Sequence, residues 1–227
     1  MVVGKLWKLE GLPCSGKSNV IRRLGNEYNT RCYEEPIDVW EGKKEITKGV
    51  KHDFLGEYIT TKSAVSLHRL QQVVTSTMSS RDRSAVRHVK EGRGRTTTVI
   101  ERHVGTAHIF IDGAPVPDID KIVLHEMTSE VEKTLYEEVV LETVYLRCEP
   151  KDALERVRRR GRRSEEGYTI AGMEALGRGH DRAFSEAAKK TIWVTDKEEE
   201  DVYEEVVEFF KEQARPIRRL TTTNEEE

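Results

Sequence analysis

A chain of 227 residues suits one α/β domain with a core of its own and is short for two. Charged residues make up 35% of it but the formal net charge is only −3, so no overall field draws it to nucleic acid or to a membrane, and any basic site must be local. No apolar run approaches the ~20 residues of a membrane span, and three cysteines without paired spacing, Cys14, Cys32 and Cys148, behind an N-terminus without a leader pattern, fit a reducing, cytoplasmic setting.

The first apolar run, Leu6 to Leu9, reads as a strand. Directly behind it stands Gly11-Leu12-Pro13-Cys14-Ser15-Gly16-Lys17-Ser18, a complete Gly-x4-Gly-Lys-Ser loop. Asn19 to Tyr28 follows as a helix with Val20, Ile21 and Leu24 on one face. In that setting the glycines let successive N–H groups turn toward phosphate oxygens, and the helix adds its positive end. Lys17 is the residue to reach the β- and γ-phosphates, and the Ser18 hydroxyl suits Mg²⁺. A nucleoside triphosphate is the expected first ligand.

Further strands are expected at Cys32–Tyr33, Thr96–Ile100, Val139–Leu146 and Thr191–Thr195, with helices between most of them. Phe54 to Val89 reads as two helices, and Asp112-Gly-Ala-Pro-Val-Pro-Asp118 as a turn-rich break. Glu198 to Asp201 opens a last helix, where acids suit the positive end. Alternation of this kind predicts a parallel sheet covered on both faces. One domain over residues 1–215 is expected, with 216–227 as a disordered tail poor in apolar side chains.

In open parallel sheets ligands collect at the carboxyl ends of the strands, and here those ends are chemically loaded. Glu34-Glu35-Pro36 follows the second run, and Glu35 there suits a base for a hydroxyl that attacks the γ-phosphate; an isolated Glu-Pro would also fit a solvated strand end. Glu101 and Arg102 follow the third run, an acid suited to Mg²⁺ beside a guanidinium suited to a substrate oxygen, or a structural ion pair. Six arginines crowd 156–163, a density no amphipathic core helix is expected to carry. They read as a lid over the triphosphate or as a nucleic-acid patch, and the adjoining Ser164-Glu165-Glu166-Gly167 argues for the lid. His103, His108 and His180 read as polar or core side chains rather than metal ligands.

Taken in order, the phosphate loop, Glu-Glu-Pro-Ile-Asp-Val-Trp, Ile-Glu-Arg-His, and Tyr-Leu-Arg-Cys-Glu-Pro with its trailing arginines resemble the deoxynucleoside kinase family, which includes the herpesvirus-type thymidine kinases. The resemblance runs from about Lys5 to Val194. It implies a three-layer P-loop kinase fold, a five-stranded parallel sheet flanked by helices, with a short arginine lid. It also implies ATP and Mg²⁺, a deoxynucleoside acceptor, no nucleic-acid or membrane partner, and a homodimer.

By that resemblance Glu35 matches the general base, Arg102 the arginine that orients the 5′-hydroxyl, and Glu101 the magnesium-associated acid. Trp40 matches the tryptophan that walls the base, and Arg156, Arg160 and Arg162 the lid arginines. Glu165 or its neighbour Glu166 matches the acid that receives the 3′-hydroxyl, and Tyr58 the tyrosine that touches it. Gln71 matches the base-reading glutamine, whose amide can donate and accept at once, with Val74 and Met78 on the same helical face. The aromatic that sandwiches the base falls on Ile111, with Phe110 one residue early. His103 agrees with the Asp-Arg-His form of viral relatives.

Met78 and Ala107 stand where kinases preferring deoxycytidine and purines carry Arg and Asp. They leave room for the thymine methyl, whose burial contributes about 0.8 kcal/mol, somewhat less than tenfold in preference. Thymidine is therefore the expected substrate, with deoxycytidine next. The competing readings are a nucleoside monophosphate kinase and a nucleotide-dependent nucleic-acid-binding protein. The chain lacks an Asn-Lys-x-Asp run, so a GTPase is not expected.

Overall fold

A computed structural model describes residues 4–92, 96–213 and 217. Five strands form one parallel sheet: β1 (Gly4–Glu10), β2 (Thr30–Tyr33), β3 (Thr97–Glu101), β4 (Val139–Arg147) and β5 (Lys190–Trp193), in the order β2-β3-β1-β4-β5. All five expected strands are present, shifted by a few residues at their ends. The helices are α1 (Lys17–Glu27), α2 (Ile37–Trp40), α3 (Phe54–Thr61), α4 (Ala64–Glu91), α5 (Ala107–Asp112), α6 (Asp118–Tyr136), α7 (Pro150–Arg160), α8 (Ile170–Phe184) and α9 (Glu199–Gln213). The stretch read as two helices is α3 and α4, and the turn-rich break separates α5 from α6.

Two apolar layers clamp the sheet because its central strand alternates. Trp7 and Leu9 point into a core shared with α1, α7, α8 and α9, while Leu6 points into one shared with α4 and α6. Trp7 meets Phe209 and Phe210 edge-on, with centroids 5.5 and 5.3 Å away. Burying each of those rings stabilises the fold by about 2–3 kcal/mol.

Capping sets the helix boundaries. Ser63 accepts from the Ser66 N–H at 3.1 Å to open α4, and Asp53 accepts from Gly56 N–H at 2.7 Å to open α3. By contrast, α1 starts behind Gly16 with no side-chain cap, which leaves its first N–H groups open to a ligand.

One expectation is corrected. The arginine-rich stretch does build on an amphipathic helix: Ala153, Leu154 and Val157 give α7 a buried face, and most of the arginines gather at its end, where Gly161 (φ 66°) stops it in the left-handed conformation. The chain then makes a short 3₁₀ turn, Arg163–Glu165. In the segment expected as a tail, Ile217 is buried in the larger core, and the other residues of 216–227 lie outside the described residues.

Candidate active site

The carboxyl ends of β1, β2 and β3 open into a cleft of about 1750 Å³. The phosphate loop forms its floor. Gly11 takes φ +147°, and a Cβ there would stand 2.4 Å from the Leu146 carbonyl oxygen and 2.7 Å from Ser15 Oγ, so only glycine fits. Lys17 is folded back over the loop, donating to the Gly11 carbonyl at 3.0 Å and the Leu12 carbonyl at 2.8 Å. Burial, with the nearby Arg102 charge second, brings its ammonium down to about 8.

Glu35 ends the turn out of β2, ahead of Pro36, which disfavours helical backbone at the residue before it. Its carboxylate accepts from Arg102 Nη1 at 2.6 Å, and each side chain is under a tenth exposed. Arg102 also donates to the Gly11 carbonyl at 3.0 Å, which ties the β3 tip to the loop. Burial works against its charge, but the Glu35 carboxylate more than offsets this and holds the guanidinium pKa above its ordinary value. Glu101 sits between the two halves: Ser18 Oγ donates to Oε1 at 2.8 Å and the Glu35 N–H to Oε2 at 3.4 Å.

One wall of the cleft comes from α4, which presents Gln71, Val74 and Met78, and further lining is supplied by Trp40, Tyr58, Ala107 and Phe110. Trp40 is fixed by its indole N–H, which donates to Thr77 Oγ1 at 2.9 Å. Gln71 is buried and its Oε1 has no partner among the described residues, an arrangement that costs about 1–3 kcal/mol unless a ligand donor meets it. The rim carries Arg156, Arg160 and Arg162 with Glu165. Glu165 is buried and pairs with the Arg160 guanidinium, while Ser164 donates to Glu41 across the cleft mouth.

Most residues singled out in the sequence thus meet in one space. Two places differ, and at a third an open choice is narrowed. Pro13 to Ser18 line the cleft, but Gly11 and Leu12 lie beneath it and contribute carbonyls to Lys17. Phe110, not Ile111, faces the cleft; Ile111 is fully buried in a small apolar cluster with Leu67 and Leu124, because adjacent residues on α5 point in different directions. Glu165 turns inward and Glu166 outward, since the 3₁₀ turn separates their directions.

Sequence reasoning missed several contributors. Tyr168 lines the cleft, with burial pushing its hydroxyl up to about 12; an aromatic just beyond the lid acids was the available hint. His103, read from the sequence as a polar or core side chain, sits in a buried polar knot whose other members were not foreseen, its Nδ1 3.1 Å from Glu10 Oε1 and its Nε2 2.7 Å from Glu132 Oε1. Burial pushes the Glu10 carboxyl up, but the His103 hydrogen bond and the Lys8 charge more than reverse this and hold it at about 2. Arg81, on α4, reaches the backbone of Glu101 and Arg102.

The cleft therefore offers a phosphate cradle, a buried carboxylate facing it, and a flat pocket walled by aromatic and apolar side chains with one amide. Such an arrangement can hold a triphosphate and a base-bearing alcohol end to end. No curated protein matches the chain. The model of one family, deoxynucleoside kinase, matches it over residues 8–216. That span takes in every part of the cleft just described, and the chain belongs to the deoxynucleoside kinase family, whose members move a phosphoryl group from ATP to a deoxynucleoside.

Proposed function

We propose that this kinase phosphorylates the 5′-hydroxyl of thymidine, and of deoxycytidine less well, with Glu35 as the base. The observation that carries this reading is the buried Glu35–Arg102 pair held at the mouth of the phosphate loop. Arg102 orients Glu35 through that hydrogen bond and has further N–H donors for the substrate hydroxyl. The Glu35 carboxylate takes the proton as that oxygen attacks the γ-phosphorus, and the bond to the ADP oxygen breaks. Lys17 leaves the Gly11 and Leu12 carbonyls for the β- and γ-phosphates, and Arg156, Arg160 and Arg162 offset the charge that builds on the transferring group.

Ser18 and Glu101, already within hydrogen-bond distance, are a hydroxyl and a carboxylate of the kind that holds Mg²⁺. Bound there, the ion would neutralise charge on the β- and γ-phosphate oxygens. Glu165 exchanges its Arg160 contact for the sugar 3′-hydroxyl, with Tyr58 alongside. Gln71 Oε1 accepts from the base, and its amide N–H₂ donates to it. Met78 and Ala107 leave room for the thymine methyl, which supports thymidine over larger or more polar acceptors.

Pairing of two copies belongs to the same reading and is supported by Ile119, Ile122 and Val123, which α6 leaves more than half exposed. Light scattering on the purified chain checks it against the protomer mass of 26.1 kDa. The activity itself is tested by offering each of the four deoxynucleosides with ATP and measuring ADP release. Thymidine fastest, with deoxycytidine second, is the expected order; purines fastest would overturn it.

A further inference from the structure

Arg81 lies well outside the reacting groups, yet its side chain is 9% exposed and its donors converge on them. Nη1 donates to the Glu101 carbonyl at 2.7 Å and lies 3.4 Å from the Glu34 carbonyl, and Nη2 donates to the Arg102 carbonyl at 2.8 Å. One planar guanidinium thus joins the tips of β2 and β3. Its own orientation is set by Asp82, which is fully buried and accepts from Arg81 Nε at 2.8 Å. The second oxygen of Asp82 accepts from the Val104 N–H at 3.2 Å and from the Tyr136 hydroxyl, so the acid is anchored to the chain beyond the tip and to α6.

The residue so held is under strain. Arg102 takes φ +54°, a left-handed backbone that is unfavourable for a non-glycine residue and persists only where its surroundings over-determine it. Here both of its backbone groups are tied: the N–H donates to the Leu9 carbonyl at 3.0 Å, and the carbonyl accepts from Arg81. Released from either, the β3 tip can relax toward an ordinary extended conformation, and the Arg102 side chain then turns away from Glu35.

We propose that Arg81 is a positioning residue for phosphoryl transfer: through the carbonyls of Glu101 and Arg102 it holds the strained strand tip that aims the Arg102 guanidinium at Glu35. This rests on the roles given above to Glu35 and Arg102. It also places the device on α4, the helix that supplies Gln71 and Met78 to the base pocket.

The test is steady-state kinetics on the full chain with thymidine and ATP. Arg81→Met is expected to lower kcat by about 10- to 100-fold, a larger change than in the KM for ATP, because Arg81 itself does not line the cleft. Arg81→Lys keeps the charge and the stem but offers no fork, so it should recover part of the loss; it carries the test if Arg81→Met does not fold. In an Arg102→Lys background, Arg81→Met should cost less than about threefold, since the side chain it aims is already altered. Val206→Ala, a core substitution in α9, serves as the control for lost stability and should leave kcat near the parent value.

Parental kcat in both Arg81 variants overturns the proposal. So does full additivity with Arg102→Lys, or an equal kcat loss in Val206→Ala. If Arg102→Lys itself leaves turnover unchanged, the role of Arg102 fails and the proposal fails with it; a large loss there with none at Arg81 sinks the proposal alone.

Discussion

Arg102 reaches Glu35 at 2.6 Å and also donates to the Gly11 carbonyl at 3.0 Å, so the Glu35 carboxylate and the phosphate loop are joined through one guanidinium. Both charges are nearly removed from water, where an unpaired partner would cost several kcal/mol. Under the proposed reaction the pair serves stability as well as turnover, and the choice of substitution decides which is read.

Glu35→Gln retains the shape and an acceptor for Arg102 while losing the proton acceptor. Turnover of thymidine should fall by about 10²- to 10⁴-fold, with the thermal midpoint lowered only modestly. Near-parental kcat in a folded Glu35→Gln protein would show that another group takes the proton.

Lys17 gives a pH-dependent result. Burial lowers its ammonium to about 8, so the folded chain binds fewer protons than the unfolded one between about pH 8 and 10.5 and gains stability as pH rises through that window. A triphosphate beside Lys17 favours the charged form and raises the pKa again. Binding of ATP at about pH 8.5 should therefore take up a proton. Calorimetry in two buffers of different ionisation enthalpy reads the uptake, and Lys17→Met should abolish it; identical heats in both buffers contradict the assignment.

The lid acids separate cleanly. Glu165 is buried against Arg160 and Glu166 points to solvent, so Glu165→Gln should raise the thymidine KM by about tenfold or more, the scale of one charge-assisted hydrogen bond. Glu166→Gln should stay within about twofold. The reverse order would mean that the turn rearranges when substrate binds.

Met78 and Ala107 both line the cleft. Met78→Arg combined with Ala107→Asp should lower the thymidine-to-deoxyadenosine ratio of kcat/KM by more than about tenfold. An unchanged ratio in a folded double variant removes both residues from the selection of the base.

The strands and the phosphate loop were legible because their information is local: apolar alternation, two glycines at fixed spacing and a lysine that needs no distant partner to be recognised. The registers of Phe110 against Ile111 and of Glu165 against Glu166 were not, since adjacent residues differ only in the direction a short helix or turn gives them. The end of α7 was misjudged from arginine density; three small or apolar residues on one face sufficed for burial. Arg81 was illegible for a different reason. Its partners are backbone carbonyls, 20 and 21 residues away at Glu101 and Arg102, and a carbonyl carries no residue-type mark in a sequence.

An unbroken helix of 28 residues carries the Gln71 amide and the Met78 thioether that line the cleft and, one turn beyond Met78, the guanidinium that grips the tip of β3. A variant that tilts or slides this rod to admit a bulkier nucleobase displaces its far anchor by a comparable amount. Widening the range of accepted nucleosides by moving α4 would then slow the chemical step, whereas exchanging side chains on a stationary α4 would not. Directed evolution of this scaffold should accordingly enrich replacements at Met78 and Ala107 and spare Arg81 and Asp82.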